Sequence, residues 1–310
     1  TNLLFRARSL RKVSKNTKHI YAAIEGGGTK FVVGVGHSYQ DCVISTIQTR
    51  SAHKTMAEVK RCINETVADG HLEGIGIGTF GPVVVDPTHT DRGRILNTPK
   101  IGWRDYNFVT DLGSEFGVPV SVQTDVGAAA LSEVAERPHC RHLVYVTVGT
   151  GIGGGVFAND RLISGSMHPE LGHIMLPRHP DDKTFQGACP FHDDCLEGLA
   201  SGPAIKARWG ASLSELAKYH QGHYIEAFYI GRLCANLVLH HAPEVIVLGG
   251  GVMNTPGLLA KVREHCHDAL GAYIAALSSE DAMEQLISAP LLGGYSGLRG
   301  AFMLAANNGH

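Results

Sequence analysis

The residues best suited to chemistry lie between Glu170 and Glu197. They read Glu170-Leu171-Gly172-His173, a polar linker, and then Cys189-Pro190-Phe191-His192-Asp193-Asp194-Cys195-Leu196-Glu197. Thiolate and imidazole are the ligands that Zn²⁺ prefers, and a structural site closes four of them into a tetrahedron. Cys189, His192 and Cys195 share a two-residue spacing, so one tight turn can aim all three inward, with His173 arriving from a separate segment as the fourth ligand. The spacing predicts a structural zinc site within loop 173–195. The alternative is two buried free thiols beside surface imidazoles, in a chain that carries 18 histidines.

Glycine turns form a second constellation. Gly26-Gly27-Gly28-Thr29-Lys30 separates the apolar runs Ile20–Ile24 and Phe31–Val35. Leu143–Val148 leads into Gly149-Thr150-Gly151-Ile152-Gly153-Gly154-Gly155, and Val245–Leu248 runs into Gly249-Gly250-Gly251. Successive backbone N–H groups in such turns make a concavity for anions, because no side chain blocks the approach. A P-loop would need Gly-Lys-Ser/Thr opening a helix, and the chain has none. Gly149, Gly151 and Gly154 match the dinucleotide spacing, but that motif must enter a helix. Here it enters Val156-Phe157-Ala158-Asn159-Asp160, a strand and turn, which argues against a dehydrogenase. Two phosphate-cradling hairpins and a third turn suit a nucleotide held between lobes.

Asp125 follows a strand pattern over Val118–Gln123 and precedes a helix pattern over Gly127–Val134. Ligand sites in α/β sheets gather at strand carboxyl ends, and a helix dipole there favours the ionised carboxylate. Such a group can take the proton of a substrate hydroxyl as its oxygen attacks a γ-phosphate. The competing role is an N-terminal cap for the helix.

The elements that must position these groups follow from periodicity. Met56, Val59, Ile63 and Val67 have helical spacing, and Gly74–Thr79 reads as a buried strand. Ile225–His241 and Ser296–Ala306 read as helices, with another from about Pro256. Strand, glycine turn, strand occurs twice at half-chain spacing, which points to two related α/β lobes. The expected division is a smaller lobe of residues 20–123 plus 296–310, and a larger lobe of 124–295. Residues 1–19 hold Arg6, Arg8, Arg11, Lys12, Lys15 and Lys18 and no acid. They are read as outside the fold: an organelle presequence, a solvated tail or an expression remnant.

With 44% hydrophobic and 18% charged residues, the 310-residue chain has ample core for a globular protein. A net charge of −2 gives no reason to expect nucleic acid or a membrane surface as partner. No apolar run reaches the ~18 residues that span a bilayer. Seven scattered cysteines do not look like a disulfide framework, which implies a reducing, cytoplasmic setting.

Taken together, these pieces resemble the ROK family of sugar kinases, and within it the bacterial zinc-containing fructokinases. The matching stretches are Ile24–Lys30, Gly78–Pro82, Leu96–Pro99, Thr124–Ala128, Val146–Gly154, His168–His173 and Cys189–Pro203. The resemblance implies a two-lobed actin-like ATPase (ribonuclease H-like) fold of the α/β class, with ATP and a hexose meeting in a cleft. It implies that Asp125 is the base for the 6-hydroxyl, and that Asn97, Glu170, His173 and Glu197 bind sugar hydroxyls. Gly26–Thr29 with Lys30, and Gly149–Gly151, would face phosphates. Gly249–Gly251 would lie near the adenosine, and Mg²⁺ would accompany ATP. A homodimer is the expected assembly.

Three positions depart from the family pattern. Glu25 replaces Asp and, together with Lys30, resembles the fructokinase branch. Thr124 stands where Asn is common, and His192 replaces a cysteine. Fructose is thus the expected substrate, with glucose, mannose or an N-acylhexosamine as alternatives within the class. The family's sugar-sensing regulators carry a helix-turn-helix domain before the first glycine hairpin, a pattern not matched by the residues preceding Ile20.

Overall fold

A computed structural model of the chain describes residues 19–307; the expectation for the basic tail therefore falls almost wholly outside the described residues. In chain order the strands are β1 (Ile20–Gly26), β2 (Lys30–Ser38), β3 (Asp41–Gln48), β4 (Leu72–Thr79), β5 (Val120–Thr124), β6 (His142–Val148), β7 (Ile152–Ala158), β8 (Arg161–Leu162), β9 (Val245–Gly249) and β10 (Ile287–Ser288). The α-helices are α1 (Ala52–Val67), α2 (Phe108–Phe116), α3 (Asp125–Ala135), α4 (Leu196–Ala200), α5 (Gly202–Trp209), α6 (Gln221–His241), α7 (Leu258–Leu270), α8 (Glu280–Leu286) and α9 (Ser296–Ala306).

The strands form two five-stranded sheets, ordered β3-β2-β1-β4-β5 and β10-β9-β6-β7-β8. In the first, β1–β2 and β2–β3 are antiparallel hairpins, whereas β1–β4 and β4–β5 run parallel. A parallel neighbour needs a crossover, and α1 supplies the one between β3 and β4. Its apolar residues Met56, Val59 and Ile63 are buried, as their helical spacing requires. The second sheet pairs β6 with β9, and β9 with β10, in parallel. The repeated hairpins of the sequence are therefore β1–β2 and β6–β7.

The chain divides into two compact units. Among the described residues, one comprises 19–138, 157–169 and 295–307; the other comprises 139–156 and 170–294. The boundary expected from the sequence lies at residue 124; in this division α3 lies with the first unit. There α3 packs against α9 so closely that a Cβ on Gly300 would stand 1.8 Å from the Ala128 carbonyl oxygen. Ser132 Oγ donates to the Ser296 carbonyl at 2.7 Å, and Ser296 Oγ donates to the buried Glu133 at 2.7 Å. Phe31, Ile24, Ile75, Ile77 and Trp103 sit in the core of this unit. In the other unit, Tyr229, Ile230, Leu233 and Leu237 of α6 pack with Val144, Val146 and Leu248 of the sheet. Among the described residues, no helix is long and apolar enough to cross a membrane.

Candidate active site and metal centre

In the first unit, β1 and β5 end side by side with β4, so that Glu25 and Asp125 emerge from adjacent parts of one sheet. Thr124 caps α3: its Oγ1 accepts the Gly127 N–H at 3.0 Å. The capping role weighed for Asp125 thus falls to its neighbour. Asp125 occupies the first helical position, where its Oδ1 accepts the Val126 N–H at 2.9 Å. The residue keeps partial access to solvent, but protein crowds its carboxyl. Burial raises its pKa from 3.8 to about 6, against the opposing pull of the Val126 N–H and the Lys100 charge. Glu25 rises to about 7, first from burial and then from repulsion by Asp125, while Lys30 and a hydrogen bond from the Leu298 N–H at the start of α9 hold it down. Two carboxyl groups that repel one another titrate as a coupled pair.

The Gly26–Lys30 turn leaves β1 at these carboxyls. It closes through the Gly27 N–H on the Lys30 carbonyl at 2.9 Å, and Thr49 Oγ1 donates to the Gly27 carbonyl at 2.9 Å. Gly28, Thr29 and Lys30 are exposed. Asn97 is exposed on the loop after Ile95. Lys100 follows on the same loop and is half-buried; a lone lysine after proline has the sequence signature of an ordinary surface charge.

In the second unit, Gly149–Gly151 joins β6 to β7, and the segment that begins at Cys195 braces it. Glu197 Oε2 accepts the Ile152 N–H at 2.9 Å. A Cβ on Gly151 would lie 2.6 Å from that oxygen, so glycine is what lets the carboxylate approach. The Gly202 N–H, at the start of α5, donates to the Gly149 carbonyl at 2.7 Å. Thr150 is exposed in the turn. Gly249 closes β9, and Gly250 takes a positive φ of 92° before Gly251. Beside Gly251 lies a cavity of about 100 Å³, lined by Gly202, Ile205, Leu213, Val252 and Thr255 among others. A larger recess, about 480 Å³ around His53, Tyr106 and Asp111, contains neither turns nor site carboxylates.

His173, Cys189, His192 and Cys195 converge, with ligand atoms all within 4.8 Å of one another. His173 Nδ1 stands 3.8 Å from Cys189 Sγ and 3.5 Å from Cys195 Sγ, and His192 Nδ1 is 3.7 Å from Cys189 Sγ. Zinc bonds of ~2.0–2.3 Å place the corners of a tetrahedron ~3.3–3.8 Å apart; these three separations match that spacing, and the chemistry of the four donors suits the ion. Local folding explains the convergence. Cys189 and Asp193 exchange backbone hydrogen bonds at 3.2 and 3.0 Å, with Asp193 at a φ of 49°. The Leu196 N–H donates to the Ile174 carbonyl at 2.9 Å, which holds the histidine segment alongside. Arg178 pins the linker, donating to the Asp182 carbonyl and pairing with Asp194 at 3.1 Å. Burial, with Cys189 and Glu197 nearby, pushes the Cys195 thiol to about 11; a bound cation would supply the charge that favours thiolate. Glu170 caps the turn carrying His173, whose N–H donates to its carbonyl at 3.0 Å.

Residues 21–308 match the model of the ROK family. The chain belongs to the ROK family. Among its ROK-like relatives, the fructokinase of Zymomonas mobilis is 40% identical over 301 residues, covering 94% of this chain and 98% of its own. A fructokinase of Pediococcus pentosaceus is 37% identical over 289 residues, covering 92% and 97%. The crystal structure of a ROK family glucokinase from Streptomyces griseus in complex with glucose and AMPPNP superposes with a TM-score of 0.69 at 25% identity. That match covers 93% of this chain and 99% of the other. The fold is therefore the two-domain, actin-like α/β architecture of the ROK sugar kinases.

Proposed function

We propose that this ROK protein is an ATP-dependent hexose kinase that converts D-fructose to fructose 6-phosphate. The observation that carries the reading is Asp125, a carboxylate relieved of capping duty by Thr124 and close enough to neutrality to serve as a base. A base is most effective when its pKa lies near the working pH, and a carboxyl at about 6 is mostly ionised at pH 7 yet basic enough to accept a proton. The hydroxyl oxygen of the sugar attacks the γ-phosphorus and its proton passes to Asp125. The bond from the γ-phosphorus to the β,γ-bridging oxygen breaks, and its electron pair leaves with ADP.

Asn97, Glu170, His173 and Glu197 hydrogen-bond the sugar hydroxyls in this reading, with one Glu197 oxygen already given to Ile152. Gly26–Lys30 and Gly149–Gly151 receive phosphates, and Gly249–Gly251 lies by the adenosine. Mg²⁺ bound with ATP neutralises phosphate charge. Zn²⁺ fits His173, Cys189, His192 and Cys195, where it would fix the loop that presents Glu170 and Glu197. The choice of fructose among hexoses rests on the relatives named fructokinase at 37% and 40% identity. A coupled assay of ADP release with Mg-ATP tests it: fructose should give the highest kcat/KM among fructose, mannose, glucose and N-acetylated hexosamines. A higher value for any other sugar overturns the substrate assignment.

A further inference from the structure

The Lys100 ammonium lies where three features of the first unit meet. A Cβ on Gly28 would come 3.1 Å from Lys100 Cε and 3.5 Å from Nζ, so the amine reaches the tip of the first glycine turn. It lies 4.4 Å from the centre of the Phe80 ring. Its charge is also among those acting on the Asp125 carboxyl. The side chain springs from a firmly held base. The Trp103 N–H donates to the Lys100 carbonyl at 2.8 Å, and the Trp103 ring stacks on Phe31 at 5.0 Å and meets Phe80 edge-on at 5.3 Å. Trp103 Nε1 in turn donates to the Arg50 carbonyl at 2.8 Å. Phe31 follows directly from the Gly26–Lys30 turn, so one aromatic cluster fixes both the turn and the lysine loop.

We propose that Lys100 is a catalytic residue that binds the transferring γ-phosphoryl group between the Gly26–Lys30 turn and Asp125. This rests on the kinase reading above and names a group that reading lacks. Charge on the equatorial oxygens must be offset as the γ-phosphorus passes from the bridging oxygen of ADP to the sugar oxygen, and fixed cations aimed at that group are the usual means. An ammonium next to the base also keeps Asp125 ionised until it receives the hydroxyl proton. Three charged groups face Asp125 or its neighbour here: Lys100 from the loop, Glu25 from β1 and Lys30 from the turn. Lys30 is exposed and acts on Glu25, which leaves Lys100 as the cation that bears on the base.

The test compares wild type, Lys100→Met and Lys100→Arg by steady-state kinetics with Mg-ATP and fructose across pH 5–9. Lys100→Met should lower kcat by about 10²-fold, the scale for losing one preorganised charge-stabilising group, with the fructose KM within about threefold. Its acid limb, expected near 6 in wild type from the burial of Asp125, should move upward, because the carboxylate loses a stabilising cation. Lys100→Arg should restore part of the rate and return the limb. An unmoved limb, a kcat within about threefold of wild type, or an effect confined to the fructose KM each overturns the proposal. If Lys100→Met does not fold, as judged by circular dichroism, Lys100→Gln is read by the same criteria. A wild type that transfers phosphate to none of the hexoses refutes the kinase reading itself, which separates that failure from the failure of Lys100.

Discussion

Replacing Asp125 with Asn should move activity and stability in opposite directions. The folded protein holds this carboxyl at about 6 rather than 3.8. A pKa raised on folding favours the fold at low pH, where the group is protonated in both states. That contribution is lost as pH rises from the unfolded value through the folded one. The shift of roughly two units is worth at most about 3 kcal/mol at ~1.4 kcal/mol per unit. Partial solvent access to Asp125 reduces it to about 1–2 kcal/mol. An amide of the same shape can keep the bond from the Val126 N–H without the charge. The variant should therefore melt several degrees above wild type at pH 8, at about 2–4 °C per kcal/mol for a large domain, and close to wild type at pH 4. Its kcat should fall by about 10²–10⁴-fold, as for a lost general base. Paired thermal melts at pH 4 and 8 with kcat at pH 8 check both halves. A variant that melts at or below wild type at pH 8, or that keeps near-wild-type turnover, would refute the reasoning.

Further outcomes concern the second unit. Metal analysis of the purified protein should find about one zinc per chain, and Cys195→Ser should lose it and raise the fructose KM; a zinc-free wild type with full activity would defeat the zinc assignment. Glu197→Ala, which removes both oxygens, should raise the KM values for both fructose and ATP. One of its oxygens holds the Ile152 N–H beside the Gly149–Gly151 turn, while the other is assigned to the sugar. An effect on fructose alone would show that the brace does not govern the nucleotide turn.

Much of the fold was legible because its strands are short apolar runs punctuated by glycine. The β1–β2 and β6–β7 hairpins, β9 and the long helix α6 lie where periodicity placed them. The strand β3 was not legible: it lies at the sheet edge with Val43 and Ile44 exposed, so no buried alternation marks it. The short helices α4 and α5 hide in Leu196–Trp209, where Gly and Pro read as loop. Tertiary packing decided the rest. Periodicity started α3 at Gly127, but the Thr124 cap begins it at Asp125, and the helix joins the first unit through Gly300 rather than opening a second lobe. The four metal-type donors were visible from spacing alone. The Glu197 bond to Ile152 spans 45 residues, and the Lys100 position depends on an aromatic stack. Neither leaves a local pattern in the sequence.

In the proposed reaction, ATP gives its γ-phosphoryl group to the 6-hydroxyl of fructose. Phosphorus and carbon NMR of the product formed from Mg-ATP and ¹³C-labelled fructose tests it most directly. Fructose 6-phosphate should accumulate in step with ADP in the wild type and at least about 10²-fold more slowly in Asp125→Asn. Phosphate on a different hydroxyl, or ADP released with no sugar phosphate, would contradict it.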